Sequence, residues 1–377
     1  MKVLHVSQPV TEGVANWVAA LVADQRGRGF EVTVACPAPS RLAENVVGLG
    51  AELREWDATR SPGPRVLDEI GRLHRIVNDV KPDLVHLASS KAGLAGRLAV
   101  RGGLPTVFQP HGWSFQATTG PLRTATVGWE RFGSRWADRI LCVSEGEAEE
   151  ASGIGIRRDR LTVISNGVDL TRWPVADAAA RTSARAHLGL DAGAPIVVNV
   201  GRLSRQKGQD QLLDAWTSVR AAVPTARLYL IGDGPDREAL ATAIGGASDV
   251  VLYGNSSEVP LWLAAADLVV MASRWEGMSL SALEAAAVGR SLVVTDVAGM
   301  LDVVGAGDDA AGAVVPLEPA GTFGTRFGSA IAGRLSDPER REREAANART
   351  RVEEKFAITR AFDATAELYQ TCIAHHH

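Results

Sequence analysis

One cycle of secondary structure occurs twice in this chain, and the repeat limits the possible folds more than any other feature. An apolar run at residues 2–7 precedes a loop, a helical pattern at residues 14–28 and a second strand pattern at residues 31–35. Because parallel strands need a crossover connection, usually a helix, this order predicts a parallel sheet. The same cycle restarts at Ile196–Val200, after a connector rich in alanine, arginine and threonine. The sequence therefore predicts two α/β halves.

The restart also sets the expected domain boundaries. We expect an N-terminal domain over residues 1–172, a linker over 173–193 and a C-terminal domain over 194–357. A helix predicted over residues 358–374 lies beyond what the second sheet needs, and one place for it is the surface of the first domain. Residues 375–377 are three histidines, typical of a purification tag, and are left out of the fold.

Charge and apolar patterning exclude several classes of protein. The 40 basic and 44 acidic side chains give a formal net charge of −4, so the whole chain has no electrostatic attraction to nucleic acid or anionic lipid. No apolar stretch approaches the roughly 20 residues of a membrane span, and the three cysteines lack the spacing of metal ligands. We expect a cytoplasmic protein with at most peripheral membrane contact and no nucleic-acid partner. The oligomeric state stays open.

A basic loop follows the first strand of the second half. Residues 201–208 read Gly-Arg-Leu-Ser-Arg-Gln-Lys-Gly and lie where the strand ends and a helix begins. Arg202 can donate two parallel hydrogen bonds, Lys207 is one of only five lysines, and the amides of a helix N-terminus attract anions. This combination favours a diphosphate site, with a solvated basic loop as the alternative. The glycine pattern of dinucleotide-binding proteins and the Walker lysine motif are both missing.

Two glutamates flank a later strand–helix junction. Glu276 lies in the loop and Glu284 in the second turn of the predicted helix, and the amides of residues 277–280 lie between them. The first turn of a helix has no internal acceptors for its amides, which suit phosphate oxygens. Carboxylates accept hydrogen bonds from the neighbouring hydroxyls of ribose or hexose. The alternative is one acid favoured by the helix dipole and one surface glutamate.

Taken together, these residues resemble the retaining, nucleotide-sugar-dependent glycosyltransferases of family four, and the resemblance covers nearly the whole chain. It implies the α/β GT-B fold, with two Rossmann-like parallel-sheet domains facing across a cleft. By this resemblance Arg202 and Lys207 form the diphosphate clamp. Glu276 is implied as the ligand of the donor-sugar hydroxyls, and Glu284 as the ligand of the ribose.

The resemblance extends to positions outside these two motifs. His111 resembles the histidine that contacts the donor sugar near the reaction centre, although a buried histidine bonded to a backbone carbonyl is the alternative. Gly13 resembles the family's glycine that lets the backbone approach the donor phosphate and the acceptor. The other implied donor-binding positions lie in two turns and are Gly254, Asn255, Gly277, Met278, Ser279 and Leu280.

Two short stretches depart from the family pattern. Many members have Phe-Gly where this chain has Met278-Ser279, and Gly-Gly where it has Glu12-Gly13. The first change alters packing around the sugar, and the second leaves one flexible glycine instead of two. Both departures bear on the identity of the substrate and not on membership of the family.

The resemblance implies retaining transfer from a nucleoside-diphosphate sugar to a glycan, a lipid-linked sugar or a small natural product. The catalytic positions would be His111, Arg202, Lys207 and Glu276. No Asp-x-Asp pair follows a strand, so no metal and no cofactor are expected, and the nucleotide sugar is a substrate. A nucleotide-sugar epimerase of the same architecture and a non-catalytic scaffold partner are the alternatives.

An aromatic stripe and two strand histidines have simpler interpretations. Trp129, Phe132 and Trp136 recur near helical spacing, opposite several arginines. We expect this stripe to face the core, with a lipid-facing helix as the alternative. His5 and His86 lie in strands and are expected to be core or cleft-lining residues.

Overall fold

Two parallel sheets organise the protein, and the computed structural model describes residues 1–376. One unit comprises Met1–Ser165 together with the C-terminal residues from Arg360 onward, and the other is Asn166–Thr359. We call them unit 1 and unit 2. The last residue of the expected tag, His377, lies outside the described residues, whereas His375 ends the final helix.

The sheet of unit 1 has seven parallel strands in the order β3-β2-β1-β4-β5-β6-β7. The strands are β1 (Lys2–Ser7), β2 (Glu31–Cys36), β3 (Glu52–Glu55), β4 (Leu84–Ala88), β5 (Thr106–Gln109), β6 (Arg139–Cys142) and β7 (Leu161–Val163). The helices between them are α1 (Glu12–Gly27), α2 (Arg41–Gly48), α3 (Val66–Val80), α4 (Ser90–Val100), α5 (Gly120–Gly133) and α6 (Glu145–Gly153). Residues 2–7 and 84–88 are almost wholly buried because helices cover both faces of a parallel sheet.

Unit 2 repeats this plan with six parallel strands in the order β10-β9-β8-β11-β12-β13. The strands are β8 (Ile196–Val200), β9 (Arg227–Ile231), β10 (Val250–Gly254), β11 (Leu268–Met271), β12 (Ser291–Thr295) and β13 (Gly312–Val315). The helices are α7 (Ala178–His187), α8 (Gln209–Ala222), α9 (Arg237–Ile244), α10 (Val259–Ala265), α11 (Leu280–Ala287), α12 (Met300–Val304), α13 (Ala320–Leu335) and α14 (Pro338–Lys355).

In each sheet the strand order reverses beside the first strand of the unit. The reversal falls between β1 and β4 in unit 1 and between β8 and β11 in unit 2. The loops that leave the carboxyl ends of such neighbouring strands diverge, and open α/β sheets bind ligands in the resulting crevice. The basic loop follows β8 and the Glu276 loop follows β11, so both sequence motifs lie at this point of unit 2.

The final helix, α15 (Ile358–His375), packs on unit 1. Phe362 lies with its ring centroid 5.4 Å from that of Trp17 on α1, and the Tyr369 hydroxyl bonds to His86 Nδ1 on β4. Tyr369 and His86 are both buried. The last helix of the chain thus completes the core of its first unit, the place considered for it in the sequence.

Residues 173–193, expected as a linker, are instead part of unit 2 and contain the helix α7. Arg185 on α7 is buried, forms a 2.6 Å ion pair with Asp267 and donates to the carbonyl of Ala265. The boundary falls at Ser165 instead of residue 172. Backbone bonds in both directions between Val168 and residues 356–358 attach this segment to the end of α14.

Two edge strands are missing from the sequence-based prediction. β3 reads Glu-Leu-Arg-Glu and is mostly exposed, so it lacks an apolar run. β13 reads Gly-Ala-Val-Val and is short. Both lie at the edge of their sheets, where burial imposes the weakest pattern on a sequence.

The aromatic stripe faces the core only in part, because Trp129 on α5 and Trp136 just after α5 are half-buried. Phe132 is 44% exposed and packs edge-on against Trp136. The buried positions of α5 are Glu130 and Gly133, because the Glu130 carboxylate forms a 2.7 Å ion pair with the buried Arg97 of α4. An internal ion pair therefore replaces the apolar contact that the spacing suggested. Within residues 1–376, no helix combines the length and apolar character needed to cross a bilayer.

Candidate active site

The basic loop and the Glu276 loop meet through an ion pair. Lys207 Nζ lies 2.6 Å from Glu276 Oε1, and Ser273 Oγ donates to the same oxygen at 2.8 Å. The Glu276 side chain is only 7% exposed, and that of Lys207 is 23% exposed. The structure thus brings together two of the predicted site residues, at the carboxyl ends of β8 and β11.

Further bonds hold these two loops against each other. The amide of Arg274 donates to the Gln206 carbonyl at 2.7 Å, and the Gln206 side chain donates to the Trp275 carbonyl. The Arg274 guanidinium forms two hydrogen bonds with the Asp210 carboxylate. These contacts fix the backbone on either side of the Lys207–Glu276 pair, and so they fix the positions of both side chains.

Two glycines allow the loops to approach this closely. Gly208 has a φ of 65°, and a Cβ there would lie 2.0 Å from the carbonyl oxygen of Ala272. Gly232 has a φ of 138°, and its Cβ would lie 2.1 Å from the carbonyl oxygen of Gly201. No larger residue fits either position without moving the backbone.

Arg202 begins the same loop and is half-buried. Its carbonyl accepts a hydrogen bond from Gln209 Nε2 at 3.1 Å, which attaches the start of the loop to the first turn of α8. Gln209 is itself buried. Arg202 and Lys207 therefore lie on one short loop whose two ends are both anchored.

The turn between Glu276 and α11 contains the predicted donor-binding positions 277–280. Ser279 caps α11 by accepting from the amide of Ala282, and Leu280 is the first residue of the helix. Asn166 Nδ2 donates to the Met278 carbonyl at 3.1 Å, and a Cβ on Gly299 would lie 2.3 Å from the Gly277 carbonyl oxygen. The buried Met278 side chain fills this turn in place of the family's phenylalanine.

Glu284 lies on α11, in the second turn, as the sequence predicted. Burial raises the pKa of its carboxyl group to about 7, and the charge of Arg172 opposes this rise. A carboxyl group whose ordinary pKa is near 4.5 therefore changes its charge close to neutral pH. A hydroxyl that donates a hydrogen bond to the ionised form of such a group lowers its pKa.

Gly254 and Asn255 lie at the end of β10, next to β9. The amide of Gly232 donates to the Gly254 carbonyl at 2.8 Å, so the turn after β9 is joined to the end of β10. Asn255 is exposed. Its side-chain amide can both donate and accept hydrogen bonds.

In unit 1, Gly13 is the second residue of α1 and follows a strained residue. Glu12 has a φ of 65°, in the left-handed region where glycine is favoured. This is the position at which many family members have their first glycine. Glu12 thus adopts the left-handed conformation that a glycine at this position would adopt easily.

His111 lies in the turn after β5 and has a φ of 53°. Its Nε2 is buried without a hydrogen-bond partner in the part of the chain that the structure describes. Burial lowers the pKa of His111 to about 3, so the imidazole is neutral at pH 7. The Trp17 ring lies edge-on, with the centroids 6.5 Å apart. His5 and His86 are buried strand residues, as expected.

Several supporting residues were not predicted from sequence. Ser273, Gln206 and Asp210 orient the ion-pair loops, and Gly299 makes room for the Gly277 turn. A serine three positions before the loop glutamate was the one local signal available. The other contacts join residues distant in sequence, so no spacing pattern could reveal them.

Comparison with known proteins agrees with this fold. Residues 11–172 match the family model described as Glycosyltransferase Family 4, and residues 194–337 match Glycosyl transferases group 1. The chain is 28% identical over 321 residues to alpha-maltose-1-phosphate synthase of Mycolicibacterium smegmatis, covering 79% of this chain and 81% of that protein. It is 30% identical over 255 residues to the lipopolysaccharide core biosynthesis mannosyltransferase LpsB of Rhizobium meliloti, covering 65% and 69%.

The fold also matches solved structures along almost the whole chain. The crystal structure of Anabaena HepE in complex with UDP and glucose has a TM-score of 0.84 and 20% identity, and covers 98% of this chain and all of that one. The architecture is therefore GT-B, with two Rossmann-like parallel-sheet α/β units. The chain belongs to the family-4 glycosyltransferases, which confirms the resemblance found in the sequence. Sugar transfer is favoured over the epimerase and scaffold alternatives.

The strained residue before Gly13 leads to a stability prediction. Because glycine adopts the left-handed conformation without the penalty of about 1 kcal/mol or more that a Cβ brings, Glu12→Gly should be more stable than Glu12→Ala. We expect a difference of about 1 kcal/mol in the free energy of unfolding, measured by urea denaturation. Both variants remove the same carboxylate, so its ion pair with Arg60 cancels in the comparison. Equal stability of the two variants would contradict strain at Glu12.

Proposed function

We propose that this glycosyltransferase is retaining and metal-independent, and that its donor is a nucleoside-diphosphate sugar bound by unit 2. The acceptor is a hydroxyl of a glycan, a lipid-linked sugar or a small natural product, bound by unit 1. The observation that carries the proposal is the Lys207–Glu276 ion pair at the strand-order reversal of unit 2. HepE, a structural neighbour, was crystallised with UDP and glucose and with UDP-glucose.

The ion pair favours an anion-binding group, the Lys207 ammonium, beside a group that binds hydroxyls, the Glu276 carboxylate. An ammonium group has three donors, and the carboxylate of Glu276 uses one of them. The others are available to diphosphate oxygens. Glu276, oriented by Lys207 and Ser273, accepts hydrogen bonds from donor-sugar hydroxyls. The two groups therefore bind the parts of the donor on either side of the bond that breaks.

The chemistry requires stabilisation of the leaving group. The bond between the sugar's anomeric carbon and the β-phosphate oxygen breaks, and negative charge builds up on that phosphate. Arg202, Lys207 and the amides at the start of α11 stabilise this charge. These groups do the electrostatic work for which other transferases use a metal ion, which supports metal independence.

Retention follows from attack on the face that the phosphate leaves. The acceptor oxygen bonds to the anomeric carbon, and its proton passes to the departing phosphate. His111 is neutral because of its burial, so it has no proton to release as a general acid at pH 7. Its role in this proposal is to position the donor sugar through a hydrogen bond.

Removal of the clamp should abolish most transfer while the fold survives. Lys207→Ala and Arg202→Ala are each expected to lower kcat by about 100-fold or more, because less charge on the leaving phosphate is stabilised. Lys355→Ala removes an exposed lysine of the same unit and serves as the control. The rates should be the same with and without EDTA. Near-normal transfer by both clamp variants would disprove the clamp, and a loss of activity in EDTA would disprove metal independence.

The stereochemistry of the product tests retention directly. With an α-linked donor, the new glycosidic bond should also be α, because attack and departure occur on one face. The anomeric proton coupling in an NMR spectrum of the product gives the answer. The donor for this assay comes from a thermal-shift screen of UDP-, GDP- and TDP-sugars, since a ligand that binds the folded state raises its stability. A β product would rule out retention.

Glu284 should make donor binding depend on pH. Its pKa is raised to about 7 by burial, and its ionised form is the better acceptor for ribose hydroxyls. Donor affinity should therefore rise between pH 6 and pH 8, with release of a proton on binding below pH 7. Calorimetry in buffers of different ionisation enthalpy measures both effects. Glu284→Gln should bind more weakly at pH 8 and lose the pH dependence; an unchanged profile would remove Glu284 from the site.

A further inference from the structure

The turn that carries His111 adopts a costly backbone conformation. His111 has a φ of 53° and the next residue, Gly112, a φ of 98°. For a residue with a Cβ, the left-handed region costs about 1–2 kcal/mol. Such a conformation persists only when surrounding groups hold it in place. The residues that hold this turn therefore decide where the His111 ring lies.

Glu147 on α6 makes the contacts that hold the turn. Its Oε1 accepts from the amide of Gly112 at 2.6 Å, and its Oε2 accepts from the amide of Val143 at 2.7 Å. Its carbonyl accepts from Trp113 Nε1 at 2.9 Å. Glu147 is completely buried. Glu147 thus connects both residues after His111 to the end of β6, Gly112 through its side chain and Trp113 through its main-chain carbonyl.

A carboxylate is the group that these two amides require. Each oxygen of Glu147 receives an N–H, so both oxygens must be acceptors. A glutamine of the same shape has one oxygen and one NH₂ group, and the NH₂ would oppose one of the two N–H groups. Hydrogen bonds to a charged acceptor are also stronger than those to a neutral one. Burial of a carboxylate is costly, and these contacts offset that cost.

We propose that Glu147 is a positioning residue for transfer, whose ionised carboxylate holds the Pro110–Trp113 turn and thereby places His111 against the donor sugar. This inference rests on the proposed function, because it assigns His111 a contact with the sugar. Glu147 touches no reacting atom. It acts through the Gly112 amide.

The burial of Glu147 makes this support sensitive to pH. Burial raises the pKa of Glu147 to about 7, although the amides of Val143 and Gly112 lower it. Protonation puts a hydrogen on one oxygen, which then opposes an amide N–H, so the turn loosens as the pH falls below 7. From α6, Glu150 faces Glu147, and burial and then the Glu147 charge raise the pKa of Glu150 to about 7.

The other titratable neighbours do not change charge in this range. From β6, Cys142 stays a thiol because burial and the Glu147 charge raise its pKa. The exposed Glu145 of α6 is paired with Arg158 at 2.7 Å. From the turn that follows His111, the neutral side chain of Gln116 donates to Glu150. An experiment must therefore distinguish the effect of Glu147 titration on the pH profile from that of Glu150 titration.

The test compares the pH profile of kcat in wild type, Glu147→Gln, Glu150→Gln and Glu149→Gln. Glu149 is exposed on the same helix and controls for loss of charge. In wild type, kcat should fall about tenfold per pH unit below the pKa of Glu147. Glu147→Gln should lower kcat at pH 8 by about 10- to 100-fold and remove this acid limb, with the donor KM little changed. Glu150→Gln and Glu149→Gln should keep the wild-type profile.

A double-mutant cycle with His111→Ala shows whether Glu147 acts through His111. If it does, Glu147→Gln should cost little further kcat once His111 is absent. Should Glu147→Gln fail to fold, the Gly112 amide resonance in the wild-type protein gives the same information, and its shift should titrate near pH 7. A wild-type profile in Glu147→Gln, full additivity with His111→Ala, or a Gly112 amide that does not titrate would overturn the inference. Absence of transfer by the wild type would instead overturn the proposed function.

Discussion

The site depends on one constraint, the reversal of strand order in each parallel sheet. Between β8 and β11 the connections leave toward opposite sides, so the two loops at the carboxyl ends can receive a ligand between them. The same sheets bury their apolar strands on both faces, which fixes these loops relative to the core. Lys207 and Glu276 come from different strands but lie within 2.6 Å because these strands are neighbours.

Charge balance explains why the site tolerates a half-buried lysine. Glu276 neutralises Lys207, and Ser273 supplies a neutral donor to the same carboxylate oxygen. An unpaired carboxylate at this depth would be strongly disfavoured. The half-buried Glu284 and the buried Glu147 both have a raised pKa. The charge of Arg172 opposes the rise at Glu284, and two backbone amides oppose it at Glu147.

The sequence predicted the features that are local and periodic. The strand–helix cycles, the loop with Lys207 and the positions of Glu276 and Glu284 all followed from short patterns. The edge strand β3 did not, because its four residues have no apolar period. The aromatic spacing predicted the buried face of α5 only in part, because the buried Glu130 pairs with Arg97 while Phe132 is exposed. Ser273 and Glu147 act through contacts made by the folded chain, so their roles needed coordinates.

The position of α15 at the end of the chain affects when the core of unit 1 can be completed during synthesis. Unit 1 lacks part of its core until Phe362 and Tyr369 reach Trp17 and His86. These two aromatic residues leave the ribosome only after all of unit 2 has been synthesised. The part of the unit 1 core that α15 covers therefore stays uncovered until the last helix has been synthesised.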